Sequence, residues 1–484
     1  MSLVLRDVRV VGGSTDPVDV LLKHGVVTDI GPGLTGTAEV SAGGRWMIPG
    51  LWDEHVHASQ AALTRRRVDV SLAASAADAA AIMAAAPAPE HGLPLVGYGF
   101  RDSLWPDLAH RAVLDDVVAG YPVVIVSADL HCCWLNSAAL AHFGLDRASD
   151  GVLREEDAFP VTSAVQNVPA TVLDGWVEAA MTEAAGRGIV GIVDLEMRGA
   201  VADWSRRFAA GFRTVRVDAG VYPAELDAAL AAGLRSGLVV DGSAGRLRVG
   251  PFKVITDGSL NTRTALCVDA YPGSSGAHAH GQLTVETDRL IDLLRRATAG
   301  GFTSAVHAIG DEANRLALDA FEAAGCGGRI EHAQLVRDAD FDRFARLGVG
   351  ASVQPEHAMD DREVADVLWH GRTDRAFALR RLVDAGVTLV LGSDAPVAPL
   401  DPWVTIAAAT SRSRDGLEPW HPEQRLSFDE ALTASTRGRS RVEVGDVGDL
   451  VLVDIDPSTA KTDELRSMPV AATMVDGYFT HSRL

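Results

Sequence analysis

Cysteine is scarce in this chain of 484 residues, which has only Cys132, Cys133, Cys267 and Cys326. That number and scatter exclude a disulfide framework and a CxxC zinc site, so all four read as free thiols. The adjacent pair Cys132 and Cys133 reads as packing, the usual habit of free cysteine. Long apolar runs are also missing. Residues 1–10 alternate charged and apolar residues in the manner of a strand, unlike a secretory signal. The Ala-rich stretches are interrupted by Asp, Glu or Arg well short of the roughly 20 apolar residues of a membrane span. The expectation is a cytoplasmic protein that does not enter a membrane. Positive charge is in deficit, with 44 Lys and Arg against 65 Asp and Glu and a net charge of -21. Such a surface disfavours nucleic acid and anionic lipid as partners. No glycine loop of the phosphate-binding kind stands out. Lysine is the rarest cation, present only as Lys23, Lys253 and Lys461.

What is present is enough apolar material, 47% of residues, for a large core. Residues 1–46 and 441–484 read as short strands and turns, neither piece sufficient alone, and are expected to pair into one small β domain. Between them, over 47–440, short apolar strands alternate with helical patterns, the signature of βα units on a parallel sheet. The strand candidates are Met47 to His57, Gly188 to Leu195, Thr214 to Val221, Leu247 to Thr256, Phe302 to His307, Arg329 to Ala333, Val349 to Gln354 and Val387 to Ser393. This is the strand number of a (β/α)8 TIM barrel. The interval from His57 to Gly188 is too long for a plain βα unit. The surplus, about 60–175, reads as a mixed α/β insert over the barrel mouth.

His55 and His57 lie one residue apart at the end of the first strand candidate, where side chains alternate with period two. Both imidazoles therefore point the same way and can grip one divalent ion, zinc or a similar metal. Lys253 lies late in the fourth candidate, His307 ends the fifth, His332 is near the end of the sixth and Asp394 follows the eighth. Chemistry on a barrel is built at those strand ends. Singly, such a residue is more often a loop cap than a ligand. Jointly, their positions and their types are hard to ascribe to accident. A lysine inside an apolar strand of an arginine-dominated chain also needs a reason.

The chain resembles the amidohydrolase superfamily, specifically its family 3 branch with the N-substituted formamide deformylase-like enzymes. The resemblance rests on the segments 49–57, 253–259, 307–311, 330–334 and 392–397, with 129–140 in the insert. It implies that His55, His57 and Asp394 bind one metal and that His307 and His332 bind a second. It also implies that Lys253, carboxylated by carbon dioxide, bridges them. Arginine cannot take that place because its guanidinium stays protonated. Two zinc ions are the first choice, with manganese, iron and cobalt left open. The implied reaction is hydrolysis of a C–N bond in an amide or N-substituted formamide of a small molecule. In that reading a metal-bound hydroxide attacks and Asp394 shuttles the proton. Two alternatives stay open: a mononuclear deaminase or other hydrolase on the same barrel, and a catalytically vestigial binding or scaffold protein.

His131 and Trp134 in the insert and His357 after the seventh strand are candidate substrate contacts, with core packing an equal reading for Trp134. His278 and His280 repeat the HxH spacing but in a loop composition, so they read as surface residues. Val193-Asp194 departs from the branch's usual His before Asp, and residues 436–449 look short. A homodimer is compatible with everything above, symmetric dimers being common among soluble enzymes.

Overall fold

The alternation of apolar strands and amphipathic helices leads to one parallel sheet of eight strands in a computed structural model of the protein. The structure describes residues 2–13, 16–102, 105–118, 120–127, 132–146 and 149–484. The strands are β1 (Leu51–Val56), β2 (Ile189–Asp194), β3 (Arg216–Val221), β4 (Leu247–Ile255), β5 (Ser304–Ala308), β6 (Gly328–His332), β7 (Val349–Val353) and β8 (Leu389–Leu391). They hydrogen-bond in sequence order, each parallel to the next. The ring closes between the last strand and the first just beyond their ends. Val56 bridges Ala395, His57 N donates to Ala395 O at 2.9 Å and Asp394 N donates to His55 O at 2.8 Å. The eight-stranded barrel expected from the strand candidates is thus present.

Its outer layer follows from helical periodicity. In the helix Thr287–Ala299, Leu290, Leu293, Leu294 and Ala297 recur at helical spacing and are buried. They pack with Phe252, Val306, Ile330 and Phe344 in the core between strands and helices. The helix Asp311–Ala324 starts directly after β5 and stops at Gly325, whose φ of +69° suits glycine.

Met47 to His57 is not one strand. It divides into Trp46–Pro49 and β1, with Gly50 between them. A Cβ on Gly50 would come within 2.5 Å of both methyls of Val190, so only glycine lets the chain pass β2 this closely. Trp46–Pro49 joins the terminal sheet instead, antiparallel to Leu450–Val453 and parallel to Ser2–Val10. That sheet draws on both ends of the chain, with Val470–Val475 and Tyr478–Ser482 on one side and Val18–Lys23 and Val26–Gly31 on the other. Leu5, Val20, Met47, Leu452 and Met474 fill its core.

The chain divides into two compact units, Met1–Ala58 with Glu178–Leu484, and Ser59–Val177. The second has its own five-stranded mixed sheet, ordered Val152–Arg154, Cys132–Leu135, Val123–Ser127, Leu95–Phe100 and Val68–Asp69. Asn136 caps the helix Ser137–His142, its side chain accepting from Ala139 N and from Val123 N. All four cysteines are free and Cys133 is buried. Among the described residues no helix is long and apolar enough to cross a membrane.

Candidate active site

In a parallel strand packed on helices, alternate residues face outward and inward. In β4, Phe252 and Val254 join the outer core, which turns Lys253 inward, where it is 1% exposed. In β6, Ile330 faces outward and Arg329 and Glu331 meet charges from other strands inside the barrel. His332 then leaves strand geometry with φ of +75°, and Ala333 follows at +43°. Asp394 sits at +58°. A left-handed backbone costs a non-glycine residue about 1–2 kcal/mol, a strain that clusters where side chains must be aimed.

The aimed side chains converge. Ring centroids are 5.4 Å apart for His55 and His57, 4.9 Å for His55 and His332, and 4.5 Å for His307 and His332. The Asp394 carboxylate faces His57 Nε2 at 3.3 Å, His55 Nε2 at 3.5 Å and His357 Nε2 at 3.9 Å. Donor atoms of His55, His332 and Asp394 all lie within 4.8 Å of one another. Gly392 permits the approach of Asp394 to β1, because a Cβ there would stand 2.7 Å from His55 N. The buried Asp53 ties the same seam, accepting from Ser393 N at 2.9 Å and His55 N at 3.2 Å.

Each inner imidazole is held from behind. His55 Nδ1 meets Glu331 Oε2 at 2.7 Å, leaving Nε2 toward Asp394. His332 Nδ1 meets Gln354 Oε1 at 2.8 Å. His307 Nε2 lies 3.3 Å from both Asp257 Oδ1 and Gly258 O. One nitrogen bound to a carboxylate or carbonyl, with the other presented inward, is how metal-ligating histidines are oriented. His57 Nδ1 and His357 Nε2 are buried without a hydrogen-bond partner among the described residues.

The electrostatics suit ligation. Burial, then Lys253, pushes the His55 imidazole down to about 4, and burial with His307 holds His332 well below its usual range. Both are neutral at pH 7, the state in which imidazole binds metal. Burial opposes ionisation of Asp394, but His55, His57 and His332 hold its carboxyl well below the usual range. Burial lowers the Lys253 ammonium to about 8 against the opposing charges of Glu331 and Asp394. Among the described residues Lys253 forms no ion pair.

His55, His57, Lys253, His307, His332 and Asp394 therefore belong to one cluster, in which His57 and His307 are half-buried and the others buried, and His357 lies beside it. His131 lies outside the described residues. Trp134 is fully buried in the core of the 59–177 unit, 6.4 Å from both Phe100 and Trp105, and so takes the packing role. His278 and His280 are exposed. At the departing Val193-Asp194, Asp194 accepts from Ala58 N, Glu196 N and Trp204 Nε1, a structural tie between β1 and β2. Residue-level reading missed Glu331, Gln354 and Asp257. Glu331 and Asp257 stand in segments that carry a ligand and Gln354 ends the seventh strand candidate, yet nothing local marks any of them as the partner of a histidine far along the chain.

A profile of the Amidohydrolase family matches residues 38–481. The protein LONG AFTER FAR-RED 3 of Arabidopsis thaliana is 26% identical over 495 residues, spanning 91% of this chain and 83% of that protein. The N-substituted formamide deformylase of Arthrobacter pascens is 25% identical over 543 residues, spanning 99% of each. The crystal structure of an uncharacterized metal-dependent hydrolase from Pyrococcus horikoshii OT3 has the same fold, with a TM-score of 0.80 at 24% identity over 96% of this chain and 99% of that one.

Proposed function

This chain belongs to the amidohydrolase family and is a hydrolase of carbon–nitrogen bonds other than peptide bonds, and we propose that it cleaves the amide bond of a small N-substituted formamide or related amide. The formamide preference is supported by the likeness to the Arthrobacter enzyme along the full length of both chains. The observation that carries the reading is the convergence of four imidazoles, those of His55 and His332 neutral, with an ionised Asp394 and a buried Lys253 at the C-terminal strand ends.

The donor set fits divalent cations, zinc first, because it offers imidazole nitrogens and carboxylate oxygen. His55, His57 and Asp394 would hold one ion, His307 and His332 a second, with Lys253 between them. The amine of Lys253 is suited to carboxylation: its neutral form, accessible with a pKa near 8, adds to carbon dioxide, and one proton leaves as the carbamate forms. When bound, such cations polarise a carbonyl and lower the pKa of water toward about 7. Asp394 takes the proton of the attacking water and delivers it to the departing nitrogen, so that water and a formamide become formate and an amine. The backbone bonds Asp394 N to His55 O and His57 N to Ala395 O fix the segment that carries the Asp394 carboxylate, and His357 Nε2, buried without a hydrogen-bond partner among the described residues, donates to the substrate's oxygen.

A single-metal reading is favoured by the tightness of the triad His55, His332 and Asp394. Elemental analysis of protein purified without chelators separates the two. Two equivalents of metal, with turnover on a panel of formamides and amides, are expected; one equivalent or none removes the bridging role of Lys253. Lys253→Ala should lower metal content, with partial recovery in added formate or acetate. Full loading of that variant argues against the bridge.

A further inference from the structure

We propose that the N-terminal end of the barrel carries a second binding site, selective for a phosphate dianion, in a cavity of about 420 Å³ bordered by β1, β3, β4 and the C-terminal segments. Five guanidinium groups line it against three carboxylates, in a protein whose net charge is -21. The carboxylates are already engaged. Asp449 pairs with Arg216 at 2.6 Å, and Asp476 with Arg246 at 2.9 Å and with Arg216. Asp218 pairs with Arg437 at 2.7 Å, and Arg437 also reaches Glu54 at 2.7 Å.

Arg248 and Arg439 remain. Among the described residues neither forms an ion pair. The Nε of Arg439 reaches only Thr436 O at 3.4 Å, and its Nη1 is buried with no hydrogen-bond partner. Asp449 and Asp446 act on Arg439 only from a distance, and burial lowers its pKa in spite of them. A buried donor without an acceptor costs about 1–3 kcal/mol, so this one calls for a ligand.

Two unpaired guanidinium forks favour a dianion whose oxygens can accept from both, which describes a phosphate group at neutral pH better than a single carboxylate. The volume lies within the roughly 300–1,000 Å³ of small-ligand sites, leaving room for an organic group beyond the phosphate. Arg216 and Arg248 stand at the starts of β3 and β4, whereas Lys253 and the imidazoles stand at the far ends of their strands, so the two sites are separate.

The test is a calorimetric titration of the metal-loaded protein with inorganic phosphate and, in a parallel arm, with glycerol 3-phosphate, chloride keeping ionic strength constant. Saturable binding is expected, weakened about tenfold or more in Arg439→Gln and in Arg248→Gln, with metal content unchanged. Arg248 is exposed, so its replacement tests the site even where Arg439→Gln fails to fold. Tighter binding of glycerol 3-phosphate identifies the ligand as a phosphate monoester, and tighter binding of inorganic phosphate identifies it as the free ion. An absence of saturable heat, or equal affinity in the parent and in Arg248→Gln, overturns the proposal; the second result would place the anion at the imidazole cluster.

Discussion

Toward the N-terminal end of the barrel interior, Glu54 lies between Arg329 at 2.9 Å and Arg437 at 2.7 Å, and Arg437 continues to Asp218 and stacks 3.3 Å over the Trp52 ring. Toward the C-terminal end, Asp394 is surrounded by three imidazole nitrogens at 3.3 to 3.9 Å, and among the described residues two histidine nitrogens have no hydrogen-bond partner and Lys253 forms no ion pair. Glu331 belongs to both ends, with Oε1 on Arg329 and Oε2 on His55. Both regions bury charge, which is costly unless the charge is paired. The Glu54 network completes its pairing with side chains of the chain itself and so serves the fold, the unpaired Arg248 and Arg439 lying outside it. The second stops short of completion and leaves lone pairs directed inward, which serves a ligand from outside the chain.

If that contrast holds, substitutions at the two ends should fail in different ways. The largest effect is expected from Asp394→Asn, which should lower kcat by about 10²- to 10⁴-fold while leaving most metal and the melting temperature in place. A kcat comparable to the parent would remove Asp394 from proton transfer. Next, Glu54→Gln takes one of two counter-charges from Arg329, which keeps Glu331, and from Arg437, which keeps Asp218. Urea unfolding should show a loss of about 1–3 kcal/mol, with kcat per folded molecule retained. A loss below about 1 kcal/mol would mean that the inner pairs do not hold the barrel.

Glu331→Gln sharpens the comparison at its hinge. The amide can still hydrogen-bond His55 but no longer carries charge, so competition with a chelator should show metal affinity weakened by about 10- to 100-fold. Unchanged affinity would separate the two ends completely. The smallest effect is expected at Glu430, which belongs to neither network and whose carboxyl is drawn down to about 2 by its bond with Arg380. Because folding lowers this pKa from 4.5, the stabilisation is complete above pH 4.5 and is lost as pH falls toward 2. In Glu430→Gln, the slope of the urea midpoint against pH below 4.5 should flatten slightly; an unchanged slope would mean that the pair is fully screened.

Much of this protein could be read without its structure because the relevant signals are local. Strand alternation and helical spacing depend on near neighbours, so the eight barrel strands and the strands of the terminal sheet were visible in the chain. The two-residue step from His55 to His57 decides a shared face by strand geometry, and a lysine surrounded by apolar residues shows itself through composition. Other features depended on the closed ring. Gly50 is needed between Trp46–Pro49 and β1 only because Val190 stands beside it. Glu331 becomes the partner of His55, 276 positions away, and Arg437 that of Glu54, 383 positions away, only through the register of the barrel. Trp134 became core rather than contact in the same way. Residue type limits what a side chain can do, but which charge faces which is set by packing between segments distant in sequence, and that is a property of the tertiary structure alone.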